Sequence, residues 1–214
     1  MKLTRTHYIG VAILAVCIVI VGSILYLRWT KSPSYSLLQV RSAIEAHDLT
    51  KFEKYVDLDS TISHFVDQLI SKSMAKQQAE SGGNEFANSL AQSFIQLMKP
   101  KLDSMIEEKI KQFVEKGSGT GSELDAGDTS INLANFFSKD GILPQGIVST
   151  KTDGKITIVT LGFFQPQTKS VLILDVSMRQ MDGYWQVAEL PNAYSFIDQM
   201  NSIATKKSSG KGAS

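Results

Sequence analysis

The sequence has one cysteine, five prolines and three histidines among its 214 residues. A lone cysteine excludes an intrachain disulfide. It does not identify the redox compartment, because many exported bacterial proteins also lack disulfides. The chain has no H-E-x-x-H zinc motif, no calcium-loop spacing and no G-x-S-x-G nucleophile elbow. These absences leave no catalytic or metal-binding motif of a known type.

Acidic residues are missing from both ends of the chain. All 21 lie between residues 32 and 204, together with 15 of the 22 basic residues. This part therefore carries a formal charge of about −6, although the whole protein carries +1. A nucleic-acid-binding domain needs a basic face to offset phosphate charge, so we expect no nucleic acid partner.

One uncharged run of 20 residues begins at Tyr8 and ends at Leu27. A helix of that length covers about 30 Å, the hydrocarbon thickness of a bilayer. Tyr8, Tyr26 and Trp29 bracket the run with aromatic rings, as is typical at the headgroup level. The run is longer than the core of a cleaved signal peptide, and no small residue precedes the cysteine as a lipoprotein signal requires. We predict an uncleaved transmembrane anchor over residues 8–27.

Basic residues near this run do not fix its orientation, since two precede it and three follow it within about 15 residues. A short tail before a single span usually stays in the cytoplasm. We therefore predict residues 1–7 as a short cytoplasmic tail. The expected location is the cytoplasmic membrane, single-pass, with the C-terminal domain extracytoplasmic.

Helical spacing fills the first half of the remaining chain, where apolar residues recur every three or four positions. Aspartates stand where helices need N-caps: Asp48 before the second helix, and Asp57 or Asp59 before the third. A long helical stretch covers residues 84–116. Pro100 is expected to kink it or to begin a new helix, because proline removes a backbone donor.

The amino-acid composition changes from about residue 147, where β-branched and aromatic residues dominate. Asp-Gly pairs at residues 153–154 and 182–183 separate such runs and are typical of hairpins. The pattern predicts four antiparallel strands in a meander, closed by a helix over residues 191–200. The run VLILDV is apolar on both faces, which indicates a central strand covered by helices on one side. Residues 129–137 predict a short helix.

Helices followed by an antiparallel sheet indicate an α+β fold. The predicted organisation beyond the anchor is a linker, one α+β domain with three parts, and a disordered tail. Their ranges are residues 28–34 for the linker, 35–204 for the domain (35–116 helical, 117–128 a flexible glycine-rich loop, 129–204 mainly sheet plus a final helix) and 205–214 for the tail.

The opening of the domain resembles a bacterial domain-of-unknown-function family whose members carry an N-terminal membrane span. The residues that match its pattern are Tyr35, Ala43, Ile44, His47, Asp48, Phe52, Tyr55, Val56 and Asp57. Residues 182–192 are similar to the Gly-x-Trp-x-hydrophobic close of that family and to the last strand of cone-shaped nuclear-transport-factor-like domains. The resemblance implies an envelope-facing domain on a single anchor, with no established activity and no catalytic residues to carry over.

His64 and Asp67 are the candidates for chemistry. Three residues apart on a helix, they can reach one metal ion or form an acid–base pair, but a metal site needs at least a third ligand. Asp57, Asp59 or His47 can supply it only after folding. The alternative, which we favour, is structural: the aspartates cap helices, His47 ends one, and His64 and Asp67 are solvated.

The sequence therefore predicts a non-enzymatic binding or interaction module at the membrane surface, with no cofactor. Its expected partners are the lipid bilayer through residues 8–27 and either an envelope protein or a small apolar ligand held between helices and sheet. One alternative is a small-pocket enzyme of a cone-shaped α+β fold that uses the His64/Asp67 pair. Another is a structural envelope protein that self-associates through its helices.

Overall fold

The structure is a computed structural model, and it describes residues 20, 22–23, 26–81, 85–117, 123–126, 129–132, 143–166 and 169–200. Helices come first and strands follow, so the fold is α+β, as predicted. The helices are α1 (Pro33–Glu45), α2 (Leu49–Tyr55), α3 (Leu58–Ser81) and α4 (Glu85–Lys116). The strands are β1 (Glu123–Ala126), β2 (Thr129–Asn132), β3 (Leu143–Asp153), β4 (Ile156–Gln165), β5 (Ser170–Gln180) and β6 (Trp185–Glu189), and residues 193–200 form a closing helix, α5.

The predicted anchor over residues 8–27 lies largely outside the described residues, as does the predicted tail over residues 205–214. None of the helices in the described ranges combines the length and the apolarity that crossing a bilayer requires.

Strands β3 to β6 form one antiparallel sheet in the order β3-β4-β5-β6, the predicted meander. The two Asp-Gly turns are where the sequence places them. Gly154 and Gly183 have φ angles of 57° and 86°, in the left-handed region that favours glycine. These turns fix the register of the hairpins, and the register decides which side chains share a face of the sheet.

One hydrophobic core lies between the helices and one face of this sheet. On α3, Ile62, Phe65 and Val66 are buried, and their neighbours Leu69 and Ile70 pack against them. The other buried members are Ala43, Phe52, Val56, Leu58, Ile106, Val114, Val159, Val176, Met178, Trp185, Val187, Ala193 and Ile197. Helices and sheet are therefore held together as one body by apolar contacts.

Asp48 and Asp57 are the N-caps of α2 and α3. Oδ1 of Asp48 accepts a hydrogen bond from the N–H of Lys51 at 2.9 Å, and Oδ1 of Asp57 accepts one from Ser60 at 3.1 Å. Asp59 lies in the first turn of α3 instead. The prediction for Asp48 is confirmed, and the choice left open for α3 falls on Asp57.

Helix α4 runs through Pro100 as a single element, so the proline does not begin a new helix. A second difference concerns β1 and β2, which pair as an antiparallel hairpin with Glu123 opposite Asn132. β1 lies inside the segment expected to be a loop. The prediction of a helix is wrong for the four residues of β2, because local propensity was too weak to outweigh strand pairing.

Candidate functional site

His64 and Asp67 line one open groove of about 420 Å³ between α3 and the turn that follows β6. Glu189 and Tyr194 line it from the other side. Gln68 holds the two walls together, because its side-chain amide donates to the carbonyl of Leu190 at 2.8 Å. Both His64 and Asp67 are exposed to solvent, as the apolar pattern of α3 predicts.

Asp67 is engaged in an ion pair within the helical layer. Lys99 of α4 lies 2.5 Å from its carboxylate and also donates to the hydroxyl of Ser63 at 3.1 Å. Asp103 lies on the same side of α4, and burial raises the pKa of its carboxyl above the ordinary value. The charge of Lys99 opposes that rise and the charge of Asp67 adds to it. Asp67 therefore joins α3 to α4 as well as facing the groove.

A metal site is not assembled around this pair. Across the ranges that the structure describes, no three His, Cys, Asp or Glu side chains come together where they could hold a metal ion. The possible third ligands have other roles, since Asp57 caps α3 and Asp59 stays in its first turn.

His47 has a structural role just beyond the end of α1. Its φ angle of 55° is left-handed, and the N–H groups of His47 and Asp48 donate to the carbonyls of Ile44 and Ala43, which closes the helix in a Schellman arrangement. Nδ1 of His47 lies 2.9 Å from the carbonyl oxygen of Val114. Because a carbonyl only accepts, that nitrogen carries the proton, and the side chain links α1 to α4.

The second candidate site is the outer face of the sheet, which we define by its exposed aliphatic side chains. They are between 39% and 59% exposed. The register places those of β4 and β5 on the face turned away from the helices, and Val148 of β3 lies on the same side, over Gly162. Large exposed apolar patches mark binding surfaces; here the polar row of Ser149, Thr160 and Asp175 divides the aliphatic side chains into two groups. The aliphatic members of the face are Val148, Ile156, Ile158, Val171 and Ile173.

The register arranges this outer face in rows across three strands. Lys151, Ile158 and Ser177 lie side by side, and Ile173 lies opposite Gly162 in another row. Val148 lies over Gly162, where an added Cβ would be 2.8 Å from its Cγ2. The glycine therefore leaves room for the valine to extend the apolar surface across the strands.

Charges on the outer face are balanced. Lys151 and Arg179 supply two cations, and Asp153 and Asp175 supply two anions. Asp175 accepts a hydrogen bond from the hydroxyl of Thr160 at 2.8 Å. Arg179 contacts Asp57, the cap of α3, at 2.6 Å. The exposed aliphatic side chains therefore lie among polar and charged neighbours.

The two edges of the sheet differ. Beside β6, Val56 forms a parallel bridge with Val187, and the N–H of Asp57 donates to the Val187 carbonyl at 2.8 Å. At the other edge β3 contains Pro144 and two irregularities of register. Proline and bulges of this kind discourage the addition of a further strand. The broad face of the sheet is therefore better suited to contact than its edges.

The beginning of the domain is tied to the sheet by Trp185. Its indole Nε1 donates to the carbonyl of Lys31 at 3.0 Å, and its backbone N–H donates to the hydroxyl of the fully buried Ser36 at 2.9 Å. Residues 26–30 are helical, and Ser32 caps α1 by accepting from the N–H of Tyr35. The segment expected to be a linker is thus structured and attached to β6.

Trp185 belongs to the core, but the outer face was not predicted from the sequence as a binding surface. A signal was present, since VLILDV is apolar at every position except its aspartate. The helices cover one face of that strand, and Val171 and Ile173 remain exposed on the other. The contact between Lys31 and Trp185 joins residues far apart in the sequence, and no local pattern indicates it.

Comparisons with protein families, with curated proteins and with solved structures find no match to this chain.

Proposed function

We propose that this protein is a single-span, membrane-anchored interaction module that binds a protein partner in the cell envelope through the outer face of its sheet. It has no enzymatic activity in this proposal. Residues 8–27 are its anchor in the cytoplasmic membrane, and the folded domain is on the outer side of that membrane.

The observation that carries this proposal is the exposed apolar surface on β3, β4 and β5. Its aliphatic side chains are as apolar as those of the core, yet the described helices cover only the opposite face of β4 and β5, and β3 is exposed throughout. Leaving them in water costs about 25 cal/mol for each Å² of apolar surface. A partner that covers this surface recovers that free energy. A small ligand between helices and sheet is less well supported, because core side chains from both layers pack together there.

The membrane part of the proposal is supported by the sequence and by the start of the domain. The uncharged run ends at Leu27, and the chain contacts β6 through Lys31 only four residues later. Trp29 and Tyr35 pack edge to face with ring centroids 5.0 Å apart. Aromatic rings of this kind are enriched where a span meets the headgroups. The domain therefore begins at once beyond the anchor.

A site-specific cross-linking experiment tests this function. A photoreactive amino acid replaces Ile173 on the outer face of the full chain in native membranes, and Met105, equally exposed on α4, serves as the matched control position. We expect an adduct with a protein partner from position 173 and at least tenfold less from position 105. Absence of any adduct from the outer face, or extraction of the chain by carbonate wash alone, contradicts the proposal.

The groove beside α3 supports a second candidate, an enzyme that uses His64 and Asp67. The observation in its favour is that both side chains and the Tyr194 side of the groove are brought together. The ion pair of Asp67 with Lys99 counts against it, because that pair already occupies the carboxylate. The double change of His64→Ala and Asp67→Ala separates the candidates: loss of the cellular phenotype at an unchanged melting temperature favours the enzyme.

A further inference from the structure

We propose that the surface at the start of the domain lies on the membrane and binds the headgroups of anionic phospholipids. This inference rests on the proposed function, since it takes residues 8–27 as the anchor, and it names lipid as a partner of the domain itself. The surface consists of residues 26–31 and of the outer stripe of α1, which we define as Tyr35, Leu38, Arg41 and Ser42.

Large apolar side chains are exposed throughout this part of the chain. Five of those between residues 20 and 38 are at least half exposed. Arg28 directly follows the last residue of the uncharged run, so the apolar surface continues into the first cations of the domain. Aromatic rings beside aliphatic and basic side chains are typical of the level where a span meets the headgroups. The five side chains are Ile20, Tyr26, Leu27, Trp29 and Leu38.

The outer stripe of α1 is turned away from the core. Ser36 and Ala43 are fully buried, and the period of about 3.6 residues places Leu38 on the opposite side of the helix. Tyr35 precedes Leu38 by one turn on that side, and its ring packs against Trp29 with centroids 5.0 Å apart. The stripe therefore continues the surface of the helical turn that precedes α1.

Charge at this surface favours an anionic partner. Four basic and two acidic residues lie between residues 26 and 51, which gives this segment a charge of +2, whereas the protein between its two basic ends carries about −6. Of the two acids, Asp48 caps α2 and Glu45 makes an exposed and therefore weak contact with Arg41. Lys51 donates to the serine of the stripe at 3.0 Å, which brings a further ammonium group there. An anionic membrane therefore repels the domain as a whole but attracts this surface.

The surface is fixed to the folded domain. The carbonyl of Lys31 accepts a hydrogen bond from Trp185 at 3.0 Å, and the N–H of Ser32 donates to the carbonyl of Trp29 at 3.0 Å. The hydroxyl of Ser32 accepts from the N–H of Tyr35 at 3.2 Å, which joins the same segment to α1. Headgroups bound here therefore fix how the domain stands on the membrane, which a flexible linker would not do.

Fluorescence quenching in vesicles tests the inference. Cys17 is the sole cysteine of the chain, so Cys17→Ala gives a background for a dye at a single cysteine, Leu38→Cys. Met105→Cys is the matched control, since Met105 on α4 is 49% exposed and Leu38 is 50% exposed. The full chain is placed in phosphatidylcholine vesicles with or without an equal part of phosphatidylglycerol. A spin label on the phosphatidylcholine headgroup quenches a dye that lies at the membrane surface.

With phosphatidylglycerol present we expect about threefold stronger quenching at position 38 than at position 105. The double change of Arg28→Gln and Lys31→Gln should lower the ratio of membrane-bound to free surface about 25-fold, because each cation near an anionic membrane contributes about fivefold. The matched control is the double change of Lys101→Gln and Lys116→Gln, both exposed on α4. It should leave the quenching at position 38 unchanged.

Equal quenching with and without phosphatidylglycerol, or equal quenching at positions 38 and 105, overturns the inference. A protein adduct from a photoreactive amino acid at position 38, without quenching there, would assign the stripe to a protein and overturns it as well. Each of these results leaves the proposed function intact. That function fails instead if carbonate extracts the chain or if position 173 gives no adduct.

Discussion

The two faces of the sheet both carry aliphatic side chains, but these side chains have opposite environments. On the inner face Val159, Val176 and Met178 are at most 3% exposed, because helices cover them. On the outer face Ile158, next to Val159 in β4, and Ile173, next to the buried Leu172 in β5, remain 39% and 44% exposed. The sequence therefore shows which side chains are hydrophobic, but only the arrangement of helices and strands decides which of them are buried.

The largest expected effect separates the two faces within one strand. Val159→Asp buries an unpaired carboxylate in the core, which costs several kcal/mol and approaches the whole stability of a domain, about 5–15 kcal/mol. We expect loss of cooperative thermal unfolding in detergent. Val159→Ala should retain the fold at a cost of about 2 kcal/mol.

Ile158→Asp is the matched control, because it places the same charge one residue away on the outer face. It should lower the free energy of unfolding by less than about 1 kcal/mol. A cooperative transition for Val159→Asp, or unfolding of Ile158→Asp, would show that the faces do not differ as described.

The next effect concerns Asp57, which connects the helical layer with an outer-face row. Asp57→Ala removes the cap of α3 and the contact with Arg179, and we expect a loss of about 1–2 kcal/mol, mostly from the cap. Asp59→Ala should cost about 0.5 kcal/mol or less, because Asp59 only stands near the helix N-terminus. Denaturant unfolding of both variants measures the difference. Equal losses of unfolding free energy in the two variants would contradict the assignment of Asp57 as the cap of α3.

A smaller effect on stability is expected from the hydrogen bond between Trp185 and Lys31, which attaches the start of the domain to β6. Trp185→Phe keeps the aromatic body in the core but leaves the Lys31 carbonyl without its donor. The expected cost is about 1 kcal/mol, and tryptic cleavage after Lys31 should be about fivefold faster. Trp29→Phe, on the exposed side, is the control. Unchanged cleavage in Trp185→Phe would mean that Ser36 alone holds the segment.

The difference between the faces also shows which features of the structure can be predicted from the sequence. Local patterns predict the order of elements, the hairpin turns at Gly154 and Gly183, and the cap at Asp48. They do so because a turn or a cap depends on neighbours in the chain. The exposure of His64 and Asp67 follows from the helical period. Strand β2 does not follow from a local pattern, because four residues carry too weak a signal for its pairing with β1. The bare outer face and the Lys31–Trp185 contact depend on tertiary arrangement, which no local period records.

The smallest effect is a dependence on pH within the helical layer. Burial raises the pKa of Asp103 above its ordinary value of 3.8, with Lys99 opposing and Asp67 adding to the rise. The folded chain then binds the Asp103 proton more tightly than the unfolded chain does. Stability from this group is therefore present below about pH 3.8 and is lost as the pH rises through the folded pKa. At neutral pH, above the pKa, the charged carboxylate of Asp103 therefore lowers the stability of the fold.

Asp103→Asn should therefore raise the melting temperature at pH 7 by about 1–2 °C, because an amide avoids the cost of a partly buried charge. The gain should vanish below about pH 3, where the carboxyl of the parent is protonated in both states. Glu108→Gln, exposed on the same helix, is the control and should show no such dependence. A lower melting temperature for Asp103→Asn at pH 7 would mean that attraction to Lys99 outweighs burial, and the covered layer would then depend on charge pairing as well as apolar contact.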